Sequence, residues 1–386
     1  MRSRRRTVIA ATPALRRLAG PLLAIASVGL SLLVAEAGVR VVAPQPTIPP
    51  LYDELHGIRT NVPSVDGDHF VPATFRVRIR TSAQRFRGAE NYTPTPVDGT
   101  FRVAMLGDSF TFGIGARDSE TYPAALEREL GGCLRAEVIN AGVKATGTGD
   151  QALRYHNEVR SFSPNLVVLS VLPANDLGDV AARPLFAWTS DGGQVEPMEI
   201  DSAVRPPPSR LRAFVRGIPG YELATQRSQL LGLVRYRVSA WMSTRREAPS
   251  RNAEQNSPSA GVTRRNQLDA AASLIRGQIL WLDRQVREAG GRLAVVILPW
   301  ASMRDARGIV ADFAGELEAF GDHAEIPTYN LARAFGETRY DPAEFFHCCR
   351  DSHPNESGYA MMAREVAAFL KRTGVVGNRC ARESGE

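Results

Sequence analysis

The chain has 386 residues, 44% hydrophobic and 23% charged, which are the proportions of an ordinary globular protein and exclude a disordered or fibrous chain. Much of its net charge of +6 is local, because MRSRRR at the start is followed by Arg16 and Arg17 before any acidic residue. Basic residues beside an apolar run are a signal of membrane topology. No zinc finger, RNA-binding motif or base-reading basic helix accompanies them, so a nucleic-acid partner is not expected.

The first predicted element is an apolar helix. Residues 18–34, LAGPLLAIASVGLSLLV, carry no charge, and with their extension to Val39 they approach the roughly 20 residues that cross a bilayer. The preceding arginines predict a cytoplasmic N-terminus with the rest of the chain outside. We favour an uncleaved transmembrane signal anchor over 1–40. AEA at 35–37 also fits a cleavable signal peptide, and a buried soluble helix is a third interpretation that the arginines disfavour.

Residues 41–100 follow as a predicted extended stalk and lead-in, rich in Pro, Asn, Thr and Gly. Within them TFRVRIRT alternates in the manner of a strand. We expect this segment to pack on the edge of the main domain or to lead into it.

From residue 101 apolar strands alternate with helices. FRVAMLGDSF, EVINAGV and NLVVLSVLP are the first three predicted strands, and the third is almost wholly apolar, as a buried parallel strand is. RLAVVILPW at 292–300 and AEIPTYNLA at 324–332 are the fourth and fifth. This order predicts an α/β fold, a three-layer α/β/α sandwich around a central parallel sheet of about five strands, over 101–375 with a tail at 376–386.

One stretch, about 178–262, breaks this alternation before a long predicted helix at 263–289. It contains three consecutive prolines from Pro206 and a polar run, RNAEQNSPSAG, and it is too long for an ordinary connection. We interpret it as an insertion, either a lid or substrate-binding cap or a surface excursion without function.

The four cysteines do not form paired CxxC knuckles, so a zinc site is not expected. In an oxidising compartment one or two disulfides could form, and Cys380 could pair with Cys348 or Cys349. Free buried thiols are an equal alternative, and the sequence does not settle the pairing.

The residues with catalytic potential follow the predicted strands. Ser109 comes just after the first strand, at the carboxyl edge where α/β proteins build their sites. A serine hydroxyl needs a base and the base needs an orienting group, and RDSHPN near the far end offers His353 and Asp351. Asn355 is a possible cap of the helix that begins there.

Donors for an oxyanion follow the same strands. Gly142 comes after the second strand and can present an unobstructed N–H, and Asn175 comes after the third and has an amide to donate. Ser109 supplies its own N–H. Since successive parallel strands end at one edge, we expect these three residues to converge.

GDSF, NAG, ND and DSHPN occur in the order and spacing of the four blocks of the SGNH hydrolases, or GDSL esterases and lipases. The chain resembles that superfamily over roughly 101–373, and in particular its membrane-anchored bacterial branch. The resemblance implies a flavodoxin-like SGNH fold, Ser109 as nucleophile, His353 as base and Asp351 as its orienting acid. It also implies Ser109, Gly142 and Asn175 as oxyanion donors, with no cofactor and no metal.

Two positions depart from the family pattern. Pro173 stands where the third block usually has glycine, and the acid of the last block lies two residues before the histidine, since Arg350 occupies the third.

The expected function is ester hydrolysis through an acyl-enzyme outside the cytoplasm, by an esterase, lipase or carbohydrate O-deacetylase. Its partners would be an acylated carbohydrate, glycan or lipid substrate and the membrane that holds the N-terminal helix. If that helix is cleaved, the protein is secreted. Two alternatives remain: an O-acyltransferase of an exported polysaccharide or cell-wall glycan, and a non-catalytic membrane-tethered glycan-binding protein.

Overall fold

The computed structural model describes residues 13–47, 49, 52–198, 218, 221, 227–247, 258–301, 308–337, 341–347, 351–377 and 380. The strands, in chain order, are β1 (Tyr52–Leu55), β2 (Ile58–Asn61), β3 (Asp66–Val71), β4 (Phe75–Arg80), β5 (Phe101–Leu106), β6 (Ala136–Asn140), β7 (Leu166–Val171), β8 (Phe186–Trp188), β9 (Val195–Pro197), β10 (Arg292–Ile297) and β11 (Thr328–Asn330). The helices are α1 (Pro13–Val42), α2 (Ser109–Phe112), α3 (Tyr122–Gly131), α4 (Thr148–Asn157), α5 (Pro173–Ala182), α6 (Gln229–Glu247), α7 (Pro258–Glu288), α8 (Ile309–His323), α9 (Leu331–Glu337), α10 (Pro342–Phe345) and α11 (Glu356–Arg372).

Two compact units divide the chain. The smaller unit comprises Met1–Thr47 and Arg210–Arg246, and the larger unit comprises Ile48–Ser209 and Glu247–Glu386. The larger unit therefore contains every residue with predicted catalytic potential, whereas α1 and nearly all of α6 belong to the smaller one.

A five-stranded sheet lies at the centre of the larger unit, in the order β11-β10-β7-β5-β6. Every neighbouring pair is parallel, and all of β7 is buried because helices cover both faces of the sheet. Counted from the β6 edge, the strands come second, first, third, fourth and fifth along the chain, which is the flavodoxin-like order. The predicted parallel α/β fold is confirmed, and each of the five predicted segments contains a strand.

Helices form the two outer layers. The chain moves from β5 to β6 in one direction and then returns across β5 to β7, so right-handed crossovers place α3 and α4 on opposite faces of the sheet. α3 packs against α11, whereas α7 packs against α4, α5 and α8. The buried residues of α7 recur at helical spacing, as one core-facing side requires: Ile275, Ile279, Leu282 and Val286.

The segment 52–80, inside the predicted stalk and lead-in, folds into two antiparallel hairpins, β1–β2 and β3–β4. The alternating TFRVRIRT run, residues 74–81, contains β4, as its alternation predicts. Ile58 and Phe86 are fully buried in the main core, and Ile79 packs in a smaller cluster with Phe112 and Ile114. These hairpins thus belong to the body of the larger unit, because they bury apolar side chains against it.

The predicted insertion starts inside a helix, since α5 continues through Ala182. The β8–β9 hairpin that follows packs on α7, where a side chain at Gly277 would meet Val195 Cγ1 at 2.5 Å. Residues up to 198 therefore form part of the larger unit. The proline run from Pro206 and most of RNAEQNSPSAG lie outside the described residues, so the predicted lid stays a prediction.

A disulfide joins Cys133, just after α3, to Cys380 in the tail, with their Cα atoms 5.3 Å apart. The pairing of Cys380 with Cys348 or Cys349, which the sequence offered as one alternative, is therefore wrong. Both of those cysteines lie outside the described residues. Residues 373–377 follow α11, which packs against α3, so the tail reaches the end of α3 and Cys133.

The smaller unit contains the apolar helix. Gly20–Val42 is a stretch of 23 residues with mean hydropathy 2.1, long and apolar enough to cross a membrane. A signal sequence near the N-terminus would have the same properties.

Candidate active site

The turn after β5 fixes the position of Ser109. A Cβ at Gly107 would lie 2.1 Å from Thr111 Oγ1, so only glycine fits where the strand passes under the following helix. Asp108 then caps α2, because its Oδ1 accepts a hydrogen bond from the Phe110 N–H at 2.9 Å. Ser109 is the first residue of α2 and lies at the carboxyl edge of the sheet, beside the switch in strand order between β5 and β7.

Three side chains, contributed by opposite ends of the unit, form a hydrogen-bonded series. Ser109 Oγ lies 2.8 Å from His353 Nε2, and His353 Nδ1 lies 2.6 Å from Asp351 Oδ1. The carboxylate oxygen can only accept, so this pairing assigns the ring proton to Nδ1 and leaves the Nε2 lone pair facing the serine. The Phe110 ring packs 5.2 Å from the imidazole. The structure thus brings the three predicted triad residues into direct contact.

The Asp351 carboxylate is held in its charged form. Burial acts to raise its pKa, but hydrogen bonds from the His353 ring and the His353 N–H, the latter 2.9 Å long, lower the pKa on balance. Both bonds go to the same oxygen, Oδ1. The spacing of two residues between acid and histidine creates this shared acceptor, since the loop turns back on the Asp351 side chain. Asn355 caps α11 as predicted, by accepting from the Gly358 N–H at 3.0 Å.

The three predicted oxyanion donors differ in availability. Within the described residues, the Ser109 N–H has no hydrogen-bond acceptor. Asn175 is exposed, and its amide donates one hydrogen to Asp108 Oδ2, 2.9 Å away. The second amide hydrogen is left to donate to a ligand. The Gly142 N–H, by contrast, donates to Asn140 Oδ1 at 3.1 Å. The role of Gly142 as an oxyanion donor stays a prediction, because this N–H already has an acceptor within the protein.

Two buried carboxyl groups, those of Asp108 and Asp176, lie close to each other near the turn that carries Ser109. Asp108 accepts from both Phe110 and Asn175, whereas Asp176 accepts at Oδ2 from the Leu172 N–H at 2.6 Å. Burial raises the pKa of Asp176 well above its usual range, and the charge of Asp108 raises it further. Burial raises the pKa of Asp108 as well, but the hydrogen bonds from Phe110 and Asn175 act to lower it, which favours the charge on Asp108 and the proton on Asp176. Pro173 is the first residue of α5, where a backbone N–H would have no acceptor within the helix. Proline therefore fits at the position where the family usually has glycine.

Residues upstream of the strands also shape this site, and sequence reasoning missed them. The buried Arg87 guanidinium donates to the carbonyl of Phe112, the last residue of α2, at 3.2 Å, and to that of Ala116, in the loop after α2, at 2.8 Å. Asn61 Nδ2 donates to the Gly142 carbonyl at 3.0 Å. Only the fold brings them here, because nothing in the sequence distinguishes a buried arginine or asparagine from the many exposed ones.

Two further histidines, His347 and His69, lie near the loop that carries Asp351 and His353. The His347 N–H donates to the His353 carbonyl at 2.9 Å, and its ring lies 5.0 Å from that of Phe75, which in turn packs 5.0 Å from His69. Burial, followed by the charge of Lys144, lowers the pKa of His69 to about 4. His69 is therefore neutral at physiological pH and packs as a polar core residue.

A serine, an imidazole and a carboxylate joined in this order at the carboxyl edge of a parallel sheet form the arrangement on which serine hydrolases rely. The family model of the GDSL-like lipase/acylhydrolase family matches residues 105–361, more than half of the chain. The chain therefore belongs to this family, and it is a serine hydrolase acting on esters.

Comparisons with individual proteins give distant similarities. A comparison with curated proteins finds no match. Among solved structures the chain is similar to an alpha/beta hydrolase enzyme from the metagenome of Lake Arreo, Spain, with 16% identity, 72% of this chain and 96% of that chain covered, and a TM-score of 0.39. It is similar to the lipase/acylhydrolase from Enterococcus faecalis, with 15% identity, 70% and 94% covered, and a TM-score of 0.38. A mutant acetyl-xylooligosaccharide esterase from Geobacillus Stearmophilus is 13% identical, with 72% and 94% covered and a TM-score of 0.39.

Proposed function

We propose that Ser109 is the nucleophile of an acyl-enzyme mechanism, with His353 as the base and Asp351 as its orienting group. The observation that carries the proposal is the series of two hydrogen bonds, 2.8 Å from Ser109 Oγ to the imidazole and 2.6 Å from the imidazole to the carboxylate. Ser109 Oγ forms a bond to the acyl carbon while its proton moves to His353 Nε2. The alcohol then leaves with that proton, and water attacks the acyl-enzyme by the same route to release the acid.

The tetrahedral oxyanion is held by the Ser109 N–H and the second amide hydrogen of Asn175. Asp108 orients that amide, because it accepts the first hydrogen. Gly142 joins as a third donor when its N–H is shared between Asn140 Oδ1 and the oxyanion. A bond that strengthens only when negative charge develops stabilises the transition state more than the bound ester.

The proposed substrate is an acyl ester of a carbohydrate, cell-wall glycan or lipid outside the cytoplasm. Two features support this compartment. The apolar Gly20–Val42 stretch follows a cluster of arginines, which is the arrangement of a membrane anchor with its N-terminus in the cytoplasm. The Cys133–Cys380 disulfide is of a kind that persists in oxidising compartments.

The test compares the full chain with its Ser109→Ala and Ser161→Ala variants. Ser161 is a matched control, because it is exposed and precedes β7 at the opposite edge of the sheet. We expect hydrolysis of p-nitrophenyl acetate, and an acyl adduct by intact mass, in the wild type and in Ser161→Ala. Both should vanish in Ser109→Ala. Turnover that persists in Ser109→Ala would contradict the proposal, and an acylated product when a sugar is added would indicate acyl transfer instead of hydrolysis.

A further inference from the structure

One acidic residue, Glu36, interrupts the apolar stretch near its outer end. Its carboxylate accepts hydrogen bonds from the Arg40 Nε at 2.8 Å and from the Ser228 Oγ at 2.8 Å. It also accepts from the N–H groups of Gln229 and Leu230, each at 2.9 Å. These two N–H groups belong to the first turn of α6, which has no intrahelical acceptors for them and favours a negative charge.

The depth of Glu36 determines where α6 begins. A hydrocarbon core of about 30 Å takes up roughly 20 residues of helix, so a span that begins at Gly20 leaves the core near Val39. Glu36 then lies close to the outer boundary, where an unpaired carboxylate would be costly. Its bonds hold the first turn of α6 at the same depth. Arg40 Nη2 adds a bond to the Arg227 carbonyl at 2.6 Å.

Beyond this junction α6 exposes an apolar stripe. Val234 and Val238 are 49% and 46% exposed, and they lie within about 40° of each other around the helix. Arg235 and Arg237 are exposed on either side of the stripe. Tyr236 points to the opposite side, about 200° from Val234, and is 65% exposed. An apolar stripe flanked by arginines is the pattern of a helix that lies in a membrane interface.

We propose that α6 lies on the outer surface of the bilayer that α1 crosses, with Val234 and Val238 against the acyl chains. Arg235 and Arg237 then face anionic headgroups. The inference rests on the proposed membrane anchorage and is independent of the hydrolytic chemistry. It assigns this part of the 178–262 insertion to membrane contact. It also requires that Glu36 stays in the mature protein, because a cut after AEA at 35–37 would remove the residue that fixes α6.

The test uses the full chain in vesicles of phosphatidylcholine and phosphatidylglycerol, with Cys348 and Cys349 replaced by serine. An environment-sensitive fluorophore is attached to a single cysteine introduced by Val234→Cys, Val238→Cys or Tyr236→Cys. A fourth label, at Leu30→Cys, reports insertion of α1. We expect lipid-borne spin labels to quench the fluorophore at positions 234, 238 and 30, and aqueous iodide to quench it at position 236.

The outcomes separate the inference from its premises. If the label at position 30 is quenched by lipid but the labels at 234 and 238 are quenched only by iodide, like the label at 236, the anchor is inserted and the inference about α6 is overturned. A label at 30 that lipid does not quench would overturn the anchorage and the inference together. Adding Glu36→Ala should abolish lipid quenching at 234 and leave it at 30. Retained quenching at 234 would show that Glu36 does not hold the helix. Ester hydrolysis, assayed in the same samples, reports the hydrolase separately.

Discussion

Asp351→Asn should lower kcat by about 10²- to 10³-fold and leave KM nearly unchanged. In the wild type one oxygen, Oδ1, accepts both the His353 N–H and the ring Nδ1–H. An asparagine oxygen in the same place accepts both bonds, so the backbone N–H holds the amide in the orientation that preserves the ring tautomer. The substitution then removes the negative charge and keeps the geometry.

The magnitude follows from that lost charge. When His353 becomes an imidazolium, two unit charges about 4 Å apart attract by about 4 kcal/mol at an effective dielectric constant near 20. A neutral hydrogen bond in the same geometry retains about 1 kcal/mol. The difference of about 3 kcal/mol corresponds to roughly 10²-fold in rate, and 10³-fold is reached if little is retained. A wrong ring tautomer would cost more, about 10⁴-fold.

The assay is steady-state hydrolysis of p-nitrophenyl acetate, with thermal unfolding to establish that the variant is folded. Asp341→Asn is a matched control: it changes the net charge equally, but Asp341 is exposed and caps α10 through the Ala343 N–H. Its kcat should equal that of the wild type. A loss of less than tenfold in Asp351→Asn would refute the role of the carboxylate charge. A loss of 10⁴-fold would refute the shared-oxygen argument, because the amide must then have turned its NH₂ toward the ring.

Three further changes test other parts of the structure. Asn175→Ala should lower kcat by about 10²-fold with little change in KM, because an oxyanion donor acts in the transition state; a rise in KM alone would contradict this role. The pKa of His69 is about 4 in the folded chain against 6.5 when unfolded, so only the unfolded chain binds this proton between those values, and stability falls by up to about 3 kcal/mol as pH drops from 6.5 to 4. The free energy of unfolding of His69→Gln, measured by denaturant titration at each pH, should lack this part of the pH dependence. A pH dependence equal to that of the wild type would refute the role of His69. Replacing Cys133 and Cys380 together by serine should lower the free energy of unfolding by about 2–5 kcal/mol without changing kcat, whereas equal stability would show that the bond does not constrain the unfolded chain.

The strands were predictable because burial on both faces leaves a direct mark on sequence. NLVVLSVLP is apolar at nearly every position and forms the fully buried β7. Ser109 was predictable for a related reason, since a residue that follows such a strand must lie at the carboxyl edge. The pairing of His353 with a serine 244 residues away came from the ordered motifs, because sequence separation carries no information on distance in space.

The state of Gly142 could not be predicted in the same way. Its N–H is directed by the side chain of Asn140, only two residues earlier, and a side-chain rotamer leaves no pattern in sequence. The glycine itself has a packing reason as well: a Cβ there would lie 2.3 Å from the Phe112 nitrogen. Glycine is therefore required for close contact with α2 whether or not its N–H meets an oxyanion.

The upstream hairpins extend the hydrolase beyond the part of the chain that its motifs mark. The strand that leads to Ser109 begins at residue 101, yet Arg87 donates to the carbonyls of Phe112 and Ala116, and Asn61 donates to that of Gly142. A chain cut at 101 would remove these donors from the Ala116 and Gly142 carbonyls, at about 1–3 kcal/mol for each one that stays buried, whereas the Phe112 carbonyl would keep its 3.4 Å bond from Asn140 Nδ2. It would also expose to solvent the apolar core residues that Ile58 and Phe86 contact. The segment after the apolar helix therefore supports the turn that carries Ser109 directly, and the folded body of the larger unit includes the first hairpin.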